Sequence, residues 1–371
     1  MMKKEDFKNI NKTFIISRIM YWLIFILFAL MVGDIKNTIL HFDVEHYMSI
    51  AIRGYAYDMQ YAFFPMLPII ISFFNLFKIP IMGTLIFNFI ISYLTTIIIY
   101  KISKDIYKYK DKQINNIINF WCFSPVALFT MIPYTEGIFI FLTVLTYYLY
   151  KSGKSPVLVG IVLGLSVFTR SIGAMLFFAL FIVLFIDLLR NYKYKFKEKF
   201  IYIIKLYIPA TVISCIYPIY LYSQTGDFLY FASVQFTKWK RIKSNFLKMI
   251  LVDFEIINKK NAISIVAILN SILLLSALFF ICYLTYKYIK NKEMDSLLFL
   301  LYILFSLISF FSTMRYDGET MASCSIYRYI YSLFPLYLYK KGNIFTTVSK
   351  NIFIVFNFIL IPFFVFNVFL F

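Results

Sequence analysis

The sequence predicts an all-α protein, a bundle of helices that crosses a lipid bilayer many times. Of its 371 residues, 61% are hydrophobic and 21% are aromatic, and both fractions lie well above those of soluble globular domains. Apolar segments recur from residue 14 to the end of the chain without a long polar interval. We therefore interpret residues 1–371 as one multi-pass membrane domain with about 11 crossings.

The net charge of +19 does not indicate a nucleic-acid partner. The lysines and arginines stand in short clusters between the apolar segments and do not form a contiguous basic domain. This distribution is typical of the cation bias that orients transmembrane helices, since cytoplasmic loops carry the excess of Lys and Arg. We expect membrane lipids, and no nucleic acid, among the partners.

The first crossing is predicted at Phe14–Val32, a run of about 19 residues that can span about 30 Å of hydrocarbon. The basic N-terminus places its start inside, and no cleavage motif follows it, so the segment is expected to stay as an anchor. Residues 33–82 are then the first extracytoplasmic loop, with amphipathic juxtamembrane helices. Within it, residues 61–77 contain Pro65 and Pro68 and are predicted to be interfacial or re-entrant.

Ten further apolar runs complete the predicted bundle. In order they are residues 83–100, 114–132, 135–150, 156–168, 172–189, 201–222, 262–286, 297–312, 326–339 and 352–371. The long loop at 223–261 is expected on the extracytoplasmic side, where its cations break the orientation rule. Those cations are Lys238, Lys240, Arg241, Lys243, Lys248, Lys259 and Lys260. Either the topology differs there or these cations bind something anionic.

A polar stretch follows the first anchor. Asp43, His46 and Tyr47 stand at i, i+3 and i+4, so in a helix they share one face while Glu45 points away. An ionisable cluster at the end of a membrane anchor is a functional-site hypothesis. The structural alternative is that Asp43 caps a helix N-terminus, where Asp is favoured.

The predicted topology brings more polar residues to the same side, among them Tyr134, Glu136 and Arg170. A carboxylate there can take a proton from an attacking hydroxyl, while Arg or Lys neutralises a phosphate. Glycosyl transfer from a lipid-phosphate sugar needs this combination. Gln235 and Trp239 share a helical face at i, i+4, although an interfacial aromatic belt explains them equally well.

An ordered set of motifs resembles the GPI mannosyltransferase II (PIG-V-like) family of the GT-C membrane glycosyltransferase superfamily. The first-loop matches are residues 42–47 (FDVEHY), 50–55 (IAIRGY) and 62–68 (AFFPMLP). The later ones are 123–125 (FSP), 134–136 (YTE), 168–173 (FTRSIG), 226–228 (GDF) with Gln235 and Trp239, 327–329 (YRY) and 334–335 (FP). Phe42 departs from the family, which usually carries Trp before the catalytic Asp.

The resemblance implies an inverting hexosyltransferase of GT-C fold. Its donor would be a polyprenyl-phosphate sugar, mannose in the eukaryotic relatives, and its acceptor a lipid or glycan hydroxyl on the extracytoplasmic side. Asp43 would be the general base, with His46 and Glu136 as further catalytic candidates. The candidate substrate-binding residues are Tyr47, Tyr134, Arg170, Gln235, Lys238, Trp239, Arg241 and Arg328. Single displacement requires no covalent intermediate.

No metal or other cofactor is expected. In a helix Asp43 and Glu45 diverge by about 200°, the chain has two histidines, and Cys122, Cys215, Cys282 and Cys324 show no paired spacing. A lipid-monophosphate donor also has a less charged leaving group than a pyrophosphate.

Two other functions compete with the enzyme. A transporter or flippase of lipid-linked sugar would use the same cations, but it predicts repeat-related halves, and the sequence shows no such repeat. A catalytically inactive protein of cell-envelope assembly is the other alternative. The expected location is the plasma membrane of a prokaryote, or the endoplasmic reticulum membrane if the source is eukaryotic.

Overall fold

The computed structural model describes residues 4–190, 192–258, 262–315, 322–323, 325–338 and 343–367. The chain is 80% helical, which confirms the all-α class. Contacts group it into two compact units. Unit 1 contains Met1–Gly54, Leu67–Val144 and Tyr327–Phe371, and unit 2 contains Tyr55–Met66 and Leu145–Ile326. The assignment of one membrane domain to the whole chain stays a prediction.

Seventeen α-helices and two short strands, β1 (Arg241–Lys243) and β2 (Thr313–Arg315), form the described structure. The helices are α1 (Lys4–Val32), α2 (Ile35–Ile39), α3 (Asp43–Arg53), α4 (Met66–Asn75), α5 (Pro80–Lys101), α6 (Asp111–Cys122), α7 (Glu136–Lys151), α8 (Pro156–Thr169), α9 (Gly173–Arg190), α10 (Tyr192–Thr225), α11 (Tyr230–Thr237), α12 (Phe246–Asn258), α13 (Ala262–Asn291), α14 (Met294–Phe311), α15 (Ile326–Ile330), α16 (Pro335–Leu338) and α17 (Asn343–Val365). Short 3₁₀ turns lie at Asp58–Ala62 and Leu128–Thr130, and a π turn follows α5 at Ile102–Ile106.

Among the described residues, five helices are long and apolar enough to cross a membrane. They are Phe7–Val32, Pro80–Ile106, Gly173–Arg190, Phe196–Thr225 and Met294–Phe311. Three apolar helices are shorter, at Met66–Asn75, Pro156–Thr169 and Ser349–Val365. The chain is therefore an integral membrane protein, while the expected count of about 11 crossings stays a prediction.

Two predicted crossings are interrupted. The apolar run 114–132 is helical only as far as Cys122, and the chain then turns at Ser124 and Pro125. The run 326–339 contains only the short helices α15 and α16, with Pro335 opening the second; Tyr339 lies outside the described residues. Proline removes a backbone donor and clashes with a helix interior, and such irregular backbone is tolerated at membrane depth only where protein buries it.

Polar side chains in unit 1 form hydrogen bonds to backbone carbonyls at the first interruption, just after α6. Asn357 on α17 donates from Nδ2 to the Ser124 carbonyl oxygen at 3.1 Å and to the Tyr21 hydroxyl at 3.2 Å. The Tyr21 hydroxyl donates to the Phe123 carbonyl at 3.0 Å. Helices α1 and α17 are thus joined to the end of α6 by hydrogen bonds, a means of association that apolar surroundings favour.

Helix α8 packs closely along α10 in unit 2. Gly160 and Gly164 lie one turn apart on the contact face, and a Cβ added at Gly164 would lie 2.8 Å from the Ala210 carbonyl oxygen. At Gly160 an added Cβ would overlap the Leu206 carbonyl oxygen. This is the small-xxx-small arrangement that lets two membrane helices approach backbone to backbone.

We expect Gly160→Leu to destabilise unit 2, because the larger side chain must push α8 away from α10. The expected loss is about 1–3 kcal/mol, as for other overpacked sites. Thermal unfolding of the purified protein in detergent measures it, with Val157→Leu as the matched control because Val157 is 43% exposed on the same helix. Equal unfolding temperatures for the two variants would contradict the close packing.

The region 223–261 contains regular structure, and its assignment as a long extracytoplasmic loop between crossings stays a prediction. Helix α11, strand β1 and helix α12 lie within it, while Lys259, Lys260 and Asn261 lie outside the described residues. Strand β1 pairs antiparallel with β2, with Arg241 opposite Arg315. Pairing between strands about seventy residues apart has no local signature, so the sequence pattern did not indicate it.

Candidate functional site

Asp43 is the first residue of α3, and the predicted helix across Asp43, His46 and Tyr47 is confirmed. The capping alternative is wrong, because Phe42 holds the N-cap position and no side chain caps the helix. Glu45 is exposed while Tyr47 is buried, as the helical period requires. The helix ends at Gly54, whose φ of 72° suits glycine and whose N–H donates to the Ile50 carbonyl at 2.9 Å.

Phe42 has a φ of 57°, a region that a bulky L-residue adopts only under strain. Its ring lies 5.5 Å from that of Phe364 and 6.0 Å from that of His41. Strain of this kind persists only where the surroundings over-determine the backbone, and it is concentrated at functional sites. The packing around Phe42 therefore helps to set the orientation of α3 and of its first side chain, that of Asp43.

Three ionised side chains from distant parts of unit 1 meet at Asp43. Arg328 on α15 places Nη1 3.0 Å from Asp43 Oδ2 and Nε 3.0 Å from Glu136 Oε1. Both carboxylates are the first residues of their helices, α3 and α7, where the helix dipole favours negative charge. We call Asp43, Glu136 and Arg328 the carboxylate–arginine cluster; its formal charge is −1.

Burial differs sharply across the carboxylate–arginine cluster. The side chain of Asp43 is 23% exposed, that of Arg328 is 5% exposed, and that of Glu136 is fully enclosed. Asp43 is thus the member that reaches the surface. Arg328 links the enclosed Glu136 to Asp43.

Aromatic rings surround the guanidinium of Arg328. Its central carbon lies 5.4 Å from the ring centre of Phe129, 5.1 Å from that of Tyr134 and 5.2 Å from that of Tyr329. Cation–π contacts of this geometry favour the charged form. Burial opposes that charge, while the carboxylates of Glu136 and Asp43, each 3.0 Å away, favour it. The guanidinium therefore stays cationic.

The two tyrosines of unit 1 that are predicted as substrate contacts are both buried. Tyr134 is buried, and that burial raises the pKa of its phenol well above the usual value. Tyr47 is also buried, with its hydroxyl 3.5 Å from Thr135 Oγ1. Direct contact of either ring with substrate stays a prediction.

His46 lies one turn after Asp43 and is half-buried. Burial lowers the pKa of its imidazole, and the carboxylates of Asp43 and Glu45 only partly oppose this. The ring is therefore neutral at pH 7, able both to donate and to accept a hydrogen bond.

The lowered pKa of His46 predicts a loss of stability in acid. The unfolded chain takes up the proton more readily than the folded one, so stability is complete above the ordinary value of 6.5 and decreases as the pH falls below it. Between pH 7.5 and 5.5 we expect the unfolding temperature of the wild type to fall about 2 °C further than that of His46→Gln. Parallel curves would contradict the burial effect.

The other predicted site residues belong to unit 2. Arg170 is the half-buried residue that ends α8. Lys238 Nζ lies 2.8 Å from Asp58 Oδ2, and both side chains are largely exposed. Trp239 donates from Nε1 to the Met59 carbonyl at 2.9 Å. These contacts tie the segment after α11 to the 3₁₀ turn at Asp58–Ala62.

The predicted helical face shared by Gln235 and Trp239 is wrong. Helix α11 ends at Thr237, and the Trp239 N–H already bonds five residues back to the Val234 carbonyl. Lys240 then adopts a φ of 52°, a value incompatible with continuing the helix. Gln235 remains on α11 and is half-buried.

Arg328 is one of the candidate substrate-binding residues, and that role stays a prediction. In the structure Arg328 pairs with the carboxylates of both Asp43 and Glu136. The guanidinium has five N–H donors, of which these two ion pairs engage those at Nη1 and Nε.

Sequence reasoning missed Phe129, Tyr329 and Arg315. Phe129 is one of 45 phenylalanines, and nothing in its neighbourhood distinguished it. Tyr329 stands in a motif that the resemblance had quoted, next to Arg328, but only the fold shows its ring against the guanidinium. Arg315 is visible as a cation before the late motif, and only the sheet register places it opposite Arg241.

No group of three or more His, Cys, Asp or Glu side chains suited to a metal ion occurs in the part of the chain that the structure describes. Cys122 is buried, Cys215 is intermediate and Cys282 is exposed, all with free thiols. Cys324 lies outside the described residues.

One comparison with known proteins gives a match. The family model described as Mannosyltransferase (PIG-V) matches residues 23–231, more than half of the chain. The matched range includes Asp43 and Glu136 and ends before Arg328 and the two strands. No curated protein and no solved structure shows significant similarity.

Proposed function

The chain belongs to the PIG-V mannosyltransferase family and is a membrane glycosyltransferase, and from this premise we propose its donor, acceptor and catalytic base. The donor is a polyprenyl-phosphate mannose, and the acceptor is a hydroxyl of a lipid or glycan on the extracytoplasmic side. Asp43 is the general base. The proposal rests on one observation. The carboxylate of Asp43 reaches the surface, and the buried guanidinium of Arg328 holds it at 3.0 Å.

The proposed reaction is a single inverting displacement. The acceptor oxygen attacks the anomeric carbon of the mannose and forms the new glycosidic bond. The bond between that carbon and the phosphate oxygen breaks, and the polyprenyl phosphate leaves with the electron pair. Asp43 takes the proton of the attacking hydroxyl, a role worth typically 10²–10⁴-fold in rate for a positioned base.

Arg328 and Glu136 act in this proposal as positioning residues. Arg328 holds Asp43 through Oδ2 at 3.0 Å, so the carboxylate does not have to be ordered when the acceptor arrives. Glu136 Oε1 lies at the same distance from the guanidinium, so the two carboxylates share one cation, and Glu136 helps to hold Arg328 in place.

The remaining candidates complete the proposal. Neutral His46, one turn along α3, is proposed to hydrogen-bond the acceptor hydroxyl. Arg170, Lys238 and Arg241 are proposed to neutralise the leaving phosphate, because they are the predicted cations outside the carboxylate–arginine cluster. Tyr47, Tyr134, Gln235 and Trp239 remain proposed contacts to the sugars.

The test supplies one labelled sugar on different carriers. Purified protein in lipid nanodiscs is given radiolabelled mannose as polyprenyl-phosphate mannose or as a nucleotide-diphosphate mannose, with a membrane-lipid extract as acceptor. We expect labelled product from the first donor only, and equally in the presence of a chelator. Product from the nucleotide donor alone would overturn the donor class, and loss of product with chelator would overturn the metal-free mechanism.

Polyprenyl-phosphate glucose in the same assay tests the sugar. Equal transfer of glucose would contradict a preference for mannose. Tight binding of both lipid donors without any product would overturn the proposed reaction and favour a transporter of lipid-linked sugar.

A further inference from the structure

His41 stands two residues before Asp43, is half-buried and has no role in the proposed mechanism. Its carbonyl accepts a hydrogen bond from the Val44 N–H at 3.4 Å, in the first turn of α3. Two residues span at most about 7 Å of chain, so the side chains of His41 and Asp43 start within that distance of each other. The imidazole is therefore a neighbour of the carboxylate proposed as the base.

A backbone carbonyl fixes the tautomer of His41. The imidazole Nδ1 lies 3.1 Å from the carbonyl oxygen of Phe364, near the end of α17. A carbonyl oxygen only accepts hydrogen bonds, so Nδ1 must carry the proton of this contact. In the neutral imidazole Nε2 then has no proton, and it is a hydrogen-bond acceptor.

The second nitrogen of His41 is held in place and is accessible. The centre of the imidazole lies 6.0 Å from the ring centre of Phe42 and 6.0 Å from that of Phe364, and these contacts add to the hydrogen bond at Nδ1. Nε2 has no hydrogen-bond partner among the described residues, and it is not one of the enclosed polar atoms that lack a partner. It therefore reaches the surface of unit 1 as an acceptor without a donor.

The chemistry of His41 and Asp43 favours a ligand that carries hydroxyl groups. An ionised carboxylate only accepts hydrogen bonds, and so does an imidazole nitrogen without a proton. The carboxylate of Asp43 also reaches the surface, so positions two residues apart present two acceptors. An ionised phosphate brings further acceptors to such a site, whereas a sugar brings a hydroxyl donor for each.

We infer that His41 Nε2 accepts a hydrogen bond from a hydroxyl of the mannose that is transferred, and so takes part in recognising this sugar. The inference rests on the proposed role of Asp43, because the attacking oxygen then lies against Asp43 and the anomeric carbon against that oxygen. Mannose is the sugar that membership of the family establishes, while the acceptor is itself a proposal. A residue beside the base is placed to contact the mannose ring.

Two substitutions separate the two nitrogens of His41. The amide nitrogen of asparagine takes about the position of Nδ1, so His41→Asn still donates to the Phe364 carbonyl but has no acceptor at Nε2. The amide of glutamine takes about the position of Nε2, so His41→Gln keeps an acceptor there and loses the bond to Phe364. We expect His41→Asn to unfold near the wild-type temperature and to lose about tenfold in kcat/KM for polyprenyl-phosphate mannose, as for one hydrogen bond. His41→Gln should unfold earlier and lose less activity.

Donors that lack one mannose hydroxyl at a time identify the contact and exclude a purely structural role. The wild type and His41→Asn are compared with each of these deoxy donors in nanodiscs. For one donor the difference in kcat/KM between the two proteins should disappear, because the hydroxyl that His41 binds is missing. A structural role would lower the rate with every donor alike.

Three results would overturn the inference. They are wild-type kcat/KM in His41→Asn, a difference that persists with every deoxy donor, and a greater loss of activity in His41→Gln than in His41→Asn. The last would show that the bond to Phe364 matters and Nε2 does not. If His41→Asn does not fold, His41→Phe takes its place in the deoxy comparison, because it keeps a ring against Phe42 and Phe364.

The fate of this inference is separable from that of the proposed function. If the protein takes mannose from a nucleotide donor, the proposed donor fails, and deoxy forms of the nucleotide donor serve in the same comparison. If Asp43→Asn retains turnover, the proposed base fails, and the deoxy comparison still reports on His41. If no mannose is transferred at all, binding affinity for the deoxy donors replaces the rate. If transfer requires Asp43 but no hydroxyl is coupled to His41, only the inference fails.

Discussion

Replacing Asp43 with Asn is expected to lower mannosyl transfer by about 10²–10⁴-fold, the usual contribution of a general base. Asparagine has the size of the aspartate and can still accept a hydrogen bond from Arg328, but it cannot take the proton of the acceptor hydroxyl. Because the change removes a step of the reaction, kcat should fall while KM for the donor stays close to the wild-type value. Initial rates with polyprenyl-phosphate mannose measure both.

Glu45→Gln is the matched control for Asp43→Asn. Glu45 is also a carboxylate in the first turn of α3, but it is exposed and points away from the carboxylate–arginine cluster. Loss of the Glu45 charge should leave kcat within about twofold of the wild type, since the charge of an exposed side chain is largely screened by water and salt. Retained turnover in Asp43→Asn, or equal losses in the two variants, would remove Asp43 from the role of base.

Arg328→Met is expected to cause the largest loss of stability, about 3–5 kcal/mol. Methionine fills much of the same space, but the fully enclosed Glu136 carboxylate then loses the guanidinium that lies 3.0 Å from its Oε1. A buried carboxylate without a counter-ion is costly because burial removes its hydration. Unfolding of the purified protein by denaturing detergent, monitored by the loss of helical circular dichroism, reports the change.

The double variant Arg328→Met with Glu136→Gln should recover much of that loss, because it removes the stranded charge as well as its partner. Lys151→Met is the matched control. Lys151 Nζ lies 3.0 Å from Asp295 Oδ1, but these side chains are 30% and 25% exposed, and ion pairs of this kind contribute at most about 1 kcal/mol. If Arg328→Met costs no more than Lys151→Met, the cluster is not a buried ionic unit.

The resemblance drew attention to Asp43, the residue that we propose as the base, more readily than to the residues around it. Asp43 stands in a motif whose helical spacing can be read locally, and α3 forms as expected. Arg328 stands in a short motif that indicated importance but not a partner. Its pairing with Asp43 and Glu136 joins positions that are 285 and 192 residues away along the chain, and no periodicity reports contacts at such separations.

The sequence predicted the membrane segments only in part, again because contacts between distant segments leave no local pattern. Hydropathy identified long apolar runs, and α1, α5, α9, α10 and α14 are helices over most of the predicted lengths. It did not distinguish a helix from a buried, interrupted segment such as 114–132. Both are apolar, and only the packing of Asn357 and its neighbours shows how the broken backbone is satisfied.

Composition and local pattern by themselves determined that this chain is an all-α integral membrane protein, that its motifs resemble those of a mannosyltransferase family, and that the acidic residue opening α3 shares a helical face with His46 and Tyr47. These properties depend on segment hydrophobicity and on the 3.6-residue period, which act within a few turns of chain. The tertiary structure alone decided that Arg328 is shared between two carboxylates, that Asp43 is the one that stays accessible, and that Arg241 faces Arg315. Those are contacts between segments distant in sequence, and their geometry depends on packing and register that no local pattern encodes.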